Sequence, residues 1–309
     1  MSLPAPLKNR ALWHPRYWGL WLAVLLLWGI AWLPVSWRMG LGAWLGRQML
    51  KRNAKRRRIV QINLALCFPD KDEAAREALA LASAERAGQA LLDLSVLWLR
   101  SNAAIIRRWQ VHGREHLDAV LAAGRAPLFV TGHVVGLDMG AAAMTVACGG
   151  GVGPYNPTHQ PYVDAWLIWG RTRFGSGLMT REDGLRPLLK ALKSRQAAYY
   201  IPDEDHGAAH SEFAPFFGVQ KATLPLLGRL SRQGNAAVLP LFTRLDGATG
   251  VYHVHIEPPL EILSASTPLA EATQMNAMLE RMIRRDPTQY MWSFKLFKTR
   301  PAGEPEIYP

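Results

Sequence analysis

The chain has 309 residues, of which 49% are hydrophobic, enough to bury a full core without a disulfide or metal staple. Its only cysteines, Cys67 and Cys148, exclude a disulfide framework and point to a reducing compartment, and no clustered Cys/His set marks a zinc site. The formal net charge of +12 is concentrated at one end: residues 1–69 carry eleven Lys/Arg and no Asp or Glu, while residues 70–309 net only +1. A basic end on a near-neutral body asks for an anionic surface beside it.

The residues between those charges favour a membrane over nucleic acid. Tyr17 to Trp37 reads YWGLWLAVLLLWGIAWLPVSW, uncharged and rich in Leu and Trp. About twenty apolar residues suffice to cross a bilayer as a helix, and indoles favour the interface. The expectation is an N-terminal membrane-anchor helix within a segment 1–60, with Pro34 leaving open a helix embedded in one leaflet. A cleaved signal peptide fits poorly. Three Lys/Arg precede the apolar run and eight follow it, which places the body, residues 61–309, on the cytoplasmic face. The run KRNAKRRR (51–58) then reads as a tether to anionic lipid headgroups, with a solvated helix face as the alternative and nucleic acid third.

Residues 62–100 predict helices broken near Pro69, the second capped by Asp70 or Asp72. From about residue 110 strands and helices alternate. The expected strands are 126–132, a weak one near GVGPYN, 196–203, 236–244 and 251–258. The expected helices are 137–147, 159–173, 185–194, 222–233 and 270–285. This alternation predicts an α/β fold with a largely parallel central sheet flanked by helices. Ligands collect at the carboxyl ends of such strands.

The stretch TGHVVGLDMG (131–140) lies at one such end. On a continuous helix His133 and Asp138 would point about 140° apart, so they meet only if the helix starts between them. Asp138 would then sit in the first turn and accept one imidazole N–H, leaving the other nitrogen to take a proton from a substrate hydroxyl. The alternative is a loop histidine followed by a capping aspartate. Neither G-x-S-x-G, H-E-x-x-H nor a phosphate loop is present, which favours a base acting on the substrate's own hydroxyl and therefore direct group transfer.

Further along, Arg171, Arg173 and Arg181 surround a glycine turn, and arginines clamp phosphate or carboxylate through paired donors. The block IPDEDHG (201–207) brings Asp203 and Asp205 to a strand end, to orient arginines or sugar hydroxyls, to bind a cation, or simply to form a Pro-Asp turn. Lys221 and Thr223 are expected to open the helix 222–233, a place suited to an anion.

Together these motifs resemble the late acyltransferases of lipid A biosynthesis, the lauroyl/myristoyl transferase family, within the broader glycerolipid acyltransferase group and its H-x-x-x-x-[DE] dyad. The likeness runs through HPRYWG (14–19), INLALCFPD (62–70), GHVVGLD (132–138), RFGSGLMTREDG (173–184), YYIPDEDHG (199–207), HSEFAPFFGVQKATLPLLGRL (210–230) and QYMWSFKLFKTRP (289–301). Asp138 and the KLFKTR ending look more like the myristoyltransferase branch. The resemblance implies transfer of a fatty acyl chain, C12–C14, from acyl carrier protein to the hydroxyl of a 3-hydroxyacyl chain on a Kdo-bearing lipid A precursor. His133 would be the general base, Asp138 its orienter, Arg171 or Arg181 a support for phosphate or oxyanion, and Asp203 and Asp205 part of the acceptor site. It implies no metal and no cofactor, the acyl carrier protein being a co-substrate, and a place at the bacterial inner membrane among anionic lipids, not nucleic acid. The rival readings are an acyltransferase for another lipid acceptor, a membrane-bound esterase or phosphatase, and a non-enzymatic lipid-binding adaptor.

Overall fold

A computed structural model of the chain describes residues 4–261 and 267–309. Its first third is helical: α1 (Ala5–Lys8), α2 (Trp18–Trp32), α3 (Val35–Arg52), α4 (Ala54–Cys67), α5 (Glu73–Leu99) and α6 (Asn102–Ile106). There follow β1 (Trp109–His112), α7 (Arg114–Ala122), β2 (Ala126–Val130), α8 (Leu137–Cys148), β3 (Gly151–Pro154), α9 (Pro161–Thr172), β4 (Ser176–Met179), α10 (Arg186–Lys193), β5 (Ala198–Tyr200), β6 (Glu212–Phe216), β7 (Val219–Thr223), α11 (Leu227–Gly234), β8 (Ala236–Leu245), β9 (Tyr252–Ile256) and α12 (Pro268–Arg285).

Seven strands form the central sheet in the order β1-β9-β8-β2-β5-β3-β4, parallel except where β9 runs back along β8. This is the expected α/β sheet. The central strands β2 and β8 read as almost unbroken apolar runs because helices cover both faces. Alternate side chains serve different layers: Phe129 packs with Leu117 of α7 and Met144 of α8, whereas Leu128 and Val130 join Leu230 of α11 and Met278 of α12 on the other face.

Two expectations need correction. The first is the membrane-spanning helix: among the described residues, no helix is long and apolar enough to cross a membrane. The chain turns at Leu33–Pro34, so the apolar run is divided between α2, of 15 residues, and α3. At 1.5 Å per residue α2 covers only about 22 Å, short of the roughly 30 Å hydrocarbon thickness. The second is the helix 222–233, whose first residues instead finish a hairpin. Phe217 and Gly218, with φ of 51° and 79°, make a two-residue turn with both residues left-handed, the geometry that matches strand twist, and β6 and β7 pair across it. Helix α11 therefore starts only at Leu227.

Within the helical layer, α3 and α5 are held together by close backbone contact. A Cβ on Gly46 of α3 would lie 1.9 Å from the Ala84 carbonyl oxygen of α5, and one on Gly88 would lie 2.2 Å from that of Gly42. Only glycine permits α3 and α5 to approach so closely. Asp72 accepts the Ala75 N–H at 2.7 Å and caps α5, settling the choice between Asp70 and Asp72.

Candidate functional site

Neighbouring parallel strands bring the site together. In the β2/β5 register Val130 lies opposite Tyr200, and three residues beyond each strand stand His133 and Asp203. The Asp203 carboxylate grips His133 twice: Oδ2 accepts the backbone N–H at 2.6 Å, and Oδ1 lies 2.7 Å from Nδ1. Tyr290, in the segment after α12, donates its hydroxyl to Oδ2 at 2.8 Å. Gly132 makes room, since a Cβ there would come within 3.0 Å of both the Asp203 carboxylate and the Tyr290 ring.

Burial would push the Asp203 carboxyl up, but the His133 charge and the hydrogen bonds from His133 and Tyr290 overcome it and hold the group down at about 2. Asp203 is therefore a permanent anion at neutral pH. Burial likewise disfavours the charged His133 ring, yet Asp203 more than compensates, aided by Glu204, and the ring's pKa is raised; Arg171 opposes this. A carboxylate on Nδ1 fixes the neutral ring as the Nδ1–H tautomer and leaves Nε2 as the acceptor. The ring is flanked by Phe294 at 4.6 Å between centroids. This geometry suits a general base. Nε2 makes no hydrogen bond to any described residue, its nearest carboxylate being Glu204 at 3.5 Å. The His133 side chain is 16% exposed while Asp203 is closed off.

Asp138 does sit in the first turn of α8, as expected. Its partner, however, is Arg171 of α9, whose Nε lies 2.6 Å from Oδ1, and it makes no hydrogen bond to His133. The tight start of α8 explains the placement: a Cβ at Gly140 would lie 2.0 Å from Thr243 Oγ1 of β8, so the helix is pressed against the sheet. Gly132 and Gly136 thus serve close approach and not a left-handed turn, for neither has positive φ. The site consists of two linked pairs, a buried His133–Asp203 and a half-buried Arg171–Asp138.

A family model for bacterial lipid A biosynthesis acyltransferases matches residues 6–299. The chain belongs to that family. Curated relatives agree over almost their whole length. The lipid A biosynthesis lauroyltransferase of Escherichia coli (strain K12) is 36% identical over 310 residues, 98% of this chain and 99% of the relative. The myristoyltransferase of the same strain is 35% identical over 305 residues, 98% of this chain and 94% of the relative. The palmitoleoyltransferase of that strain is 32% identical over 308 residues, 97% of each chain. The family is therefore one of acyl-transferring enzymes, and identities this close do not divide its myristoyl branch from its lauroyl branch.

The other expected residues of this acyltransferase-family chain fall into two groups. Arg181 is exposed in the loop after β4, close enough to His206 to depress that imidazole's pKa, although burial is the larger cause. It borders the loop that carries Asp203. Arg173, by contrast, donates to the Leu97 and Arg100 carbonyls at 2.6 and 2.8 Å and to Asn102 Oδ1 at 2.8 Å, closing the end of α5. Asp205 is occupied with Thr299, accepting its N–H and hydroxyl at 2.7 Å each, and pins the C-terminal segment to the site loop. Lys221 lies within β7 and is 1% exposed, its Nζ 3.4 Å from the Ala222 carbonyl. Burial lowers its pKa, while Asp203 and Asp205 oppose the shift. It is a buried amine behind the acidic loop, not a donor at a helix start, because the hairpin directs it inward.

Sequence reasoning gives no role to Tyr290 or Phe294, offers Glu204 only as a member of the IPDEDHG cluster, and assigns Asp203 to the acceptor site without its contact to His133. The usable signal for Asp203 was positional: if β2 and β5 are neighbours, residues equally far beyond their ends meet.

Proposed function

We propose that this protein transfers a fatty acyl chain, C12–C14, from an acyl carrier protein thioester to the hydroxyl of a 3-hydroxyacyl chain on a Kdo-bearing lipid A precursor. His133 Nε2 takes the hydroxyl proton while Nδ1–H remains on Asp203. The freed oxygen attacks the thioester carbonyl, Arg171 faces the negative charge that develops on its oxygen, and the C–S bond breaks as the thiolate recovers the proton from Nε2. Ester and thiol leave, and no cofactor is consumed. The observation that carries this reading is the His133–Asp203–Tyr290 chain, which leaves Nε2 without a hydrogen bond to any described residue, in a protein of this family. Asp138 acts by fixing Arg171. Arg181 fits a contact to the acceptor's phosphate at the mouth.

The same reading places the protein at the cytoplasmic face of the bacterial inner membrane. Its support is the outer surface of α2 and α3, where Trp18, Leu25, Leu26, Trp28, Trp32 and Trp37 are all more than half exposed, followed by the basic run 51–58. Exposed apolar side chains on this scale mark a surface that something apolar covers, and with α2 too short to cross, it lies in one leaflet beside anionic headgroups.

The test is the purified full chain in detergent, offered acyl carrier proteins of several chain lengths and a lipid A precursor. Ester formation on a 3-hydroxyacyl chain is expected, with His133→Gln slower by about 10²–10⁴-fold. Because the His133 pKa is raised and the base must be unprotonated, kcat/KM should fall on the acid side with a midpoint above 6.5. No transfer from any donor would overturn the reading.

A further inference from the structure

Two successive carboxylates address the two nitrogens of one imidazole. Asp203 Oδ1 is 2.7 Å from Nδ1 of His133, and Glu204 Oε1 is 3.5 Å from Nε2. Their settings differ. Asp203 is buried and held by His133 N and Tyr290, whereas the Glu204 side chain is 43% exposed and accepts no hydrogen bond from any described residue. Among the described residues the imidazole is the only charged or hydrogen-bonding partner within reach of the Glu204 carboxylate.

That position conflicts with catalysis. A hydroxyl delivering its proton to Nε2 must bring its oxygen to about 2.8 Å from that nitrogen. From there the oxygen has the Glu204 carboxylate as a near neighbour, and its single hydrogen already points to Nε2. As the proton leaves, the oxygen gains negative charge beside a carboxylate with nothing between them, and like charges so close repel strongly. Glu204 would help to hold the imidazolium but would hinder the oxygen that must react. A side chain on the solvent side, without another partner, can move away at little cost.

Resting on the general-base reading above, we infer that Glu204 is a displaceable cap on His133: it pairs with Nε2–H in the empty site and is moved into solvent by the incoming acceptor hydroxyl. The remaining charges around the ring are fixed by other elements. Asp203, from the loop after β5, bonds Nδ1; Arg171 of α9 is neutralised by Asp138 of α8; Tyr290 and the buried Lys221 act through Asp203. Glu204 is the one of these that an acceptor can displace without breaking a hydrogen bond.

The consequence is a difference between the free and the occupied enzyme. In the free enzyme, which kcat/KM reports, the cap favours protonated His133. In the acceptor complex, which kcat reports, it does not. The acid limb of kcat/KM should therefore lie at higher pH than that of kcat. Glu204→Gln should lower the kcat/KM limb by roughly half to one pH unit, given one half-exposed charge, and leave the kcat limb in place. Below the limb, kcat/KM of the variant should exceed that of the parent by about three- to tenfold, a gain that mere damage would not give.

The experiment pairs both pH profiles with a histidine NMR titration of the full chain in detergent without substrates, the His133 signal being assigned by its loss in His133→Gln. The expected result is a downward shift of the titration in Glu204→Gln and in Glu204→Ala, with only the kcat/KM limb following it. An unmoved titration would overturn the cap, and so would kcat and kcat/KM limbs that move together. Failure of the general-base reading looks different: His133→Gln would retain its transfer rate even though the parent titration still responded to Glu204.

Discussion

The helical layer at the N-terminus and the sheet body differ in where they leave their large apolar side chains. In the body, Phe129, Leu128 and Val238 are fully buried and polar side chains gather at strand ends. In the layer, Trp37 is 70% exposed and Leu26 62%, while Arg38 and Asp93 are almost wholly enclosed. Arg38 Nε meets Asp93 Oδ1 at 2.7 Å, Arg108 bonds the other oxygen, and Tyr252 donates to it at 3.0 Å, so α3, α5 and β9 converge on one carboxylate. The body keeps its large apolar side chains inside, whereas the layer leaves several indoles and leucines outside. The layer encloses the Arg38–Asp93 pair but exposes other basic residues, Lys51 and Arg52 among them; that surface suits the proposed membrane attachment.

The largest way to break this comparison is Asp93→Ala. It leaves two enclosed guanidinium groups facing each other without their anion and should cost about 3–5 kcal/mol, read by thermal or denaturant unfolding of the full chain in detergent. A loss below 1 kcal/mol would mean that the cluster is only ornamental. The smaller test works from outside. Trp28→Ser combined with Trp37→Ser should change stability in detergent by no more than about 0.5 kcal/mol per site, yet weaken binding to vesicles containing anionic lipid by roughly tenfold or more. If vesicle binding is unchanged, the apolar face of α2 and α3 is not what meets the membrane.

Much of the body was legible in sequence. Strands at 126–130 and 236–245 announce themselves because burial on both faces demands continuous apolar runs, and α8, α9, α10 and α12 lie within two residues of expectation. What was not legible depended on partners. β1, WQVH, is an edge strand with mostly exposed side chains, so it lacks the apolar run that marks its neighbours. The β6/β7 hairpin carries no strong mark in the sequence because its turn uses Phe217 rather than an Asn or Gly at the first left-handed position, and its last two residues fall inside the expected helix 222–233. The apolar content of 17–37 suggested one long helix, whereas the chain turns at Leu33–Pro34 and divides the run between α2 and α3.

The site divides in the same way. His133 was identifiable from its place beyond an apolar strand, and Asp138 and Arg171 were both picked out. Their pairing with each other was hidden, because it depends on how α8 and α9 pack. Asp203 is 70 residues from His133 in sequence and meets it only through the β2/β5 register. A five-residue spacing between a histidine and an aspartate is thus a sound marker of the strand-to-helix turn, while the carboxylate that orients the ring comes from the adjoining strand.

The central claim is that Asp203, and not Asp138, sets the tautomer and basicity of His133. The most direct test is imidazole nitrogen NMR of the full chain, comparing Asp203→Asn with Asp138→Asn above the His133 titration. The account predicts a neutral ring protonated at Nδ1 in the parent and in Asp138→Asn, with that preference weakened and the pKa lowered in Asp203→Asn. A preference that survives in Asp203→Asn and disappears in Asp138→Asn would contradict it.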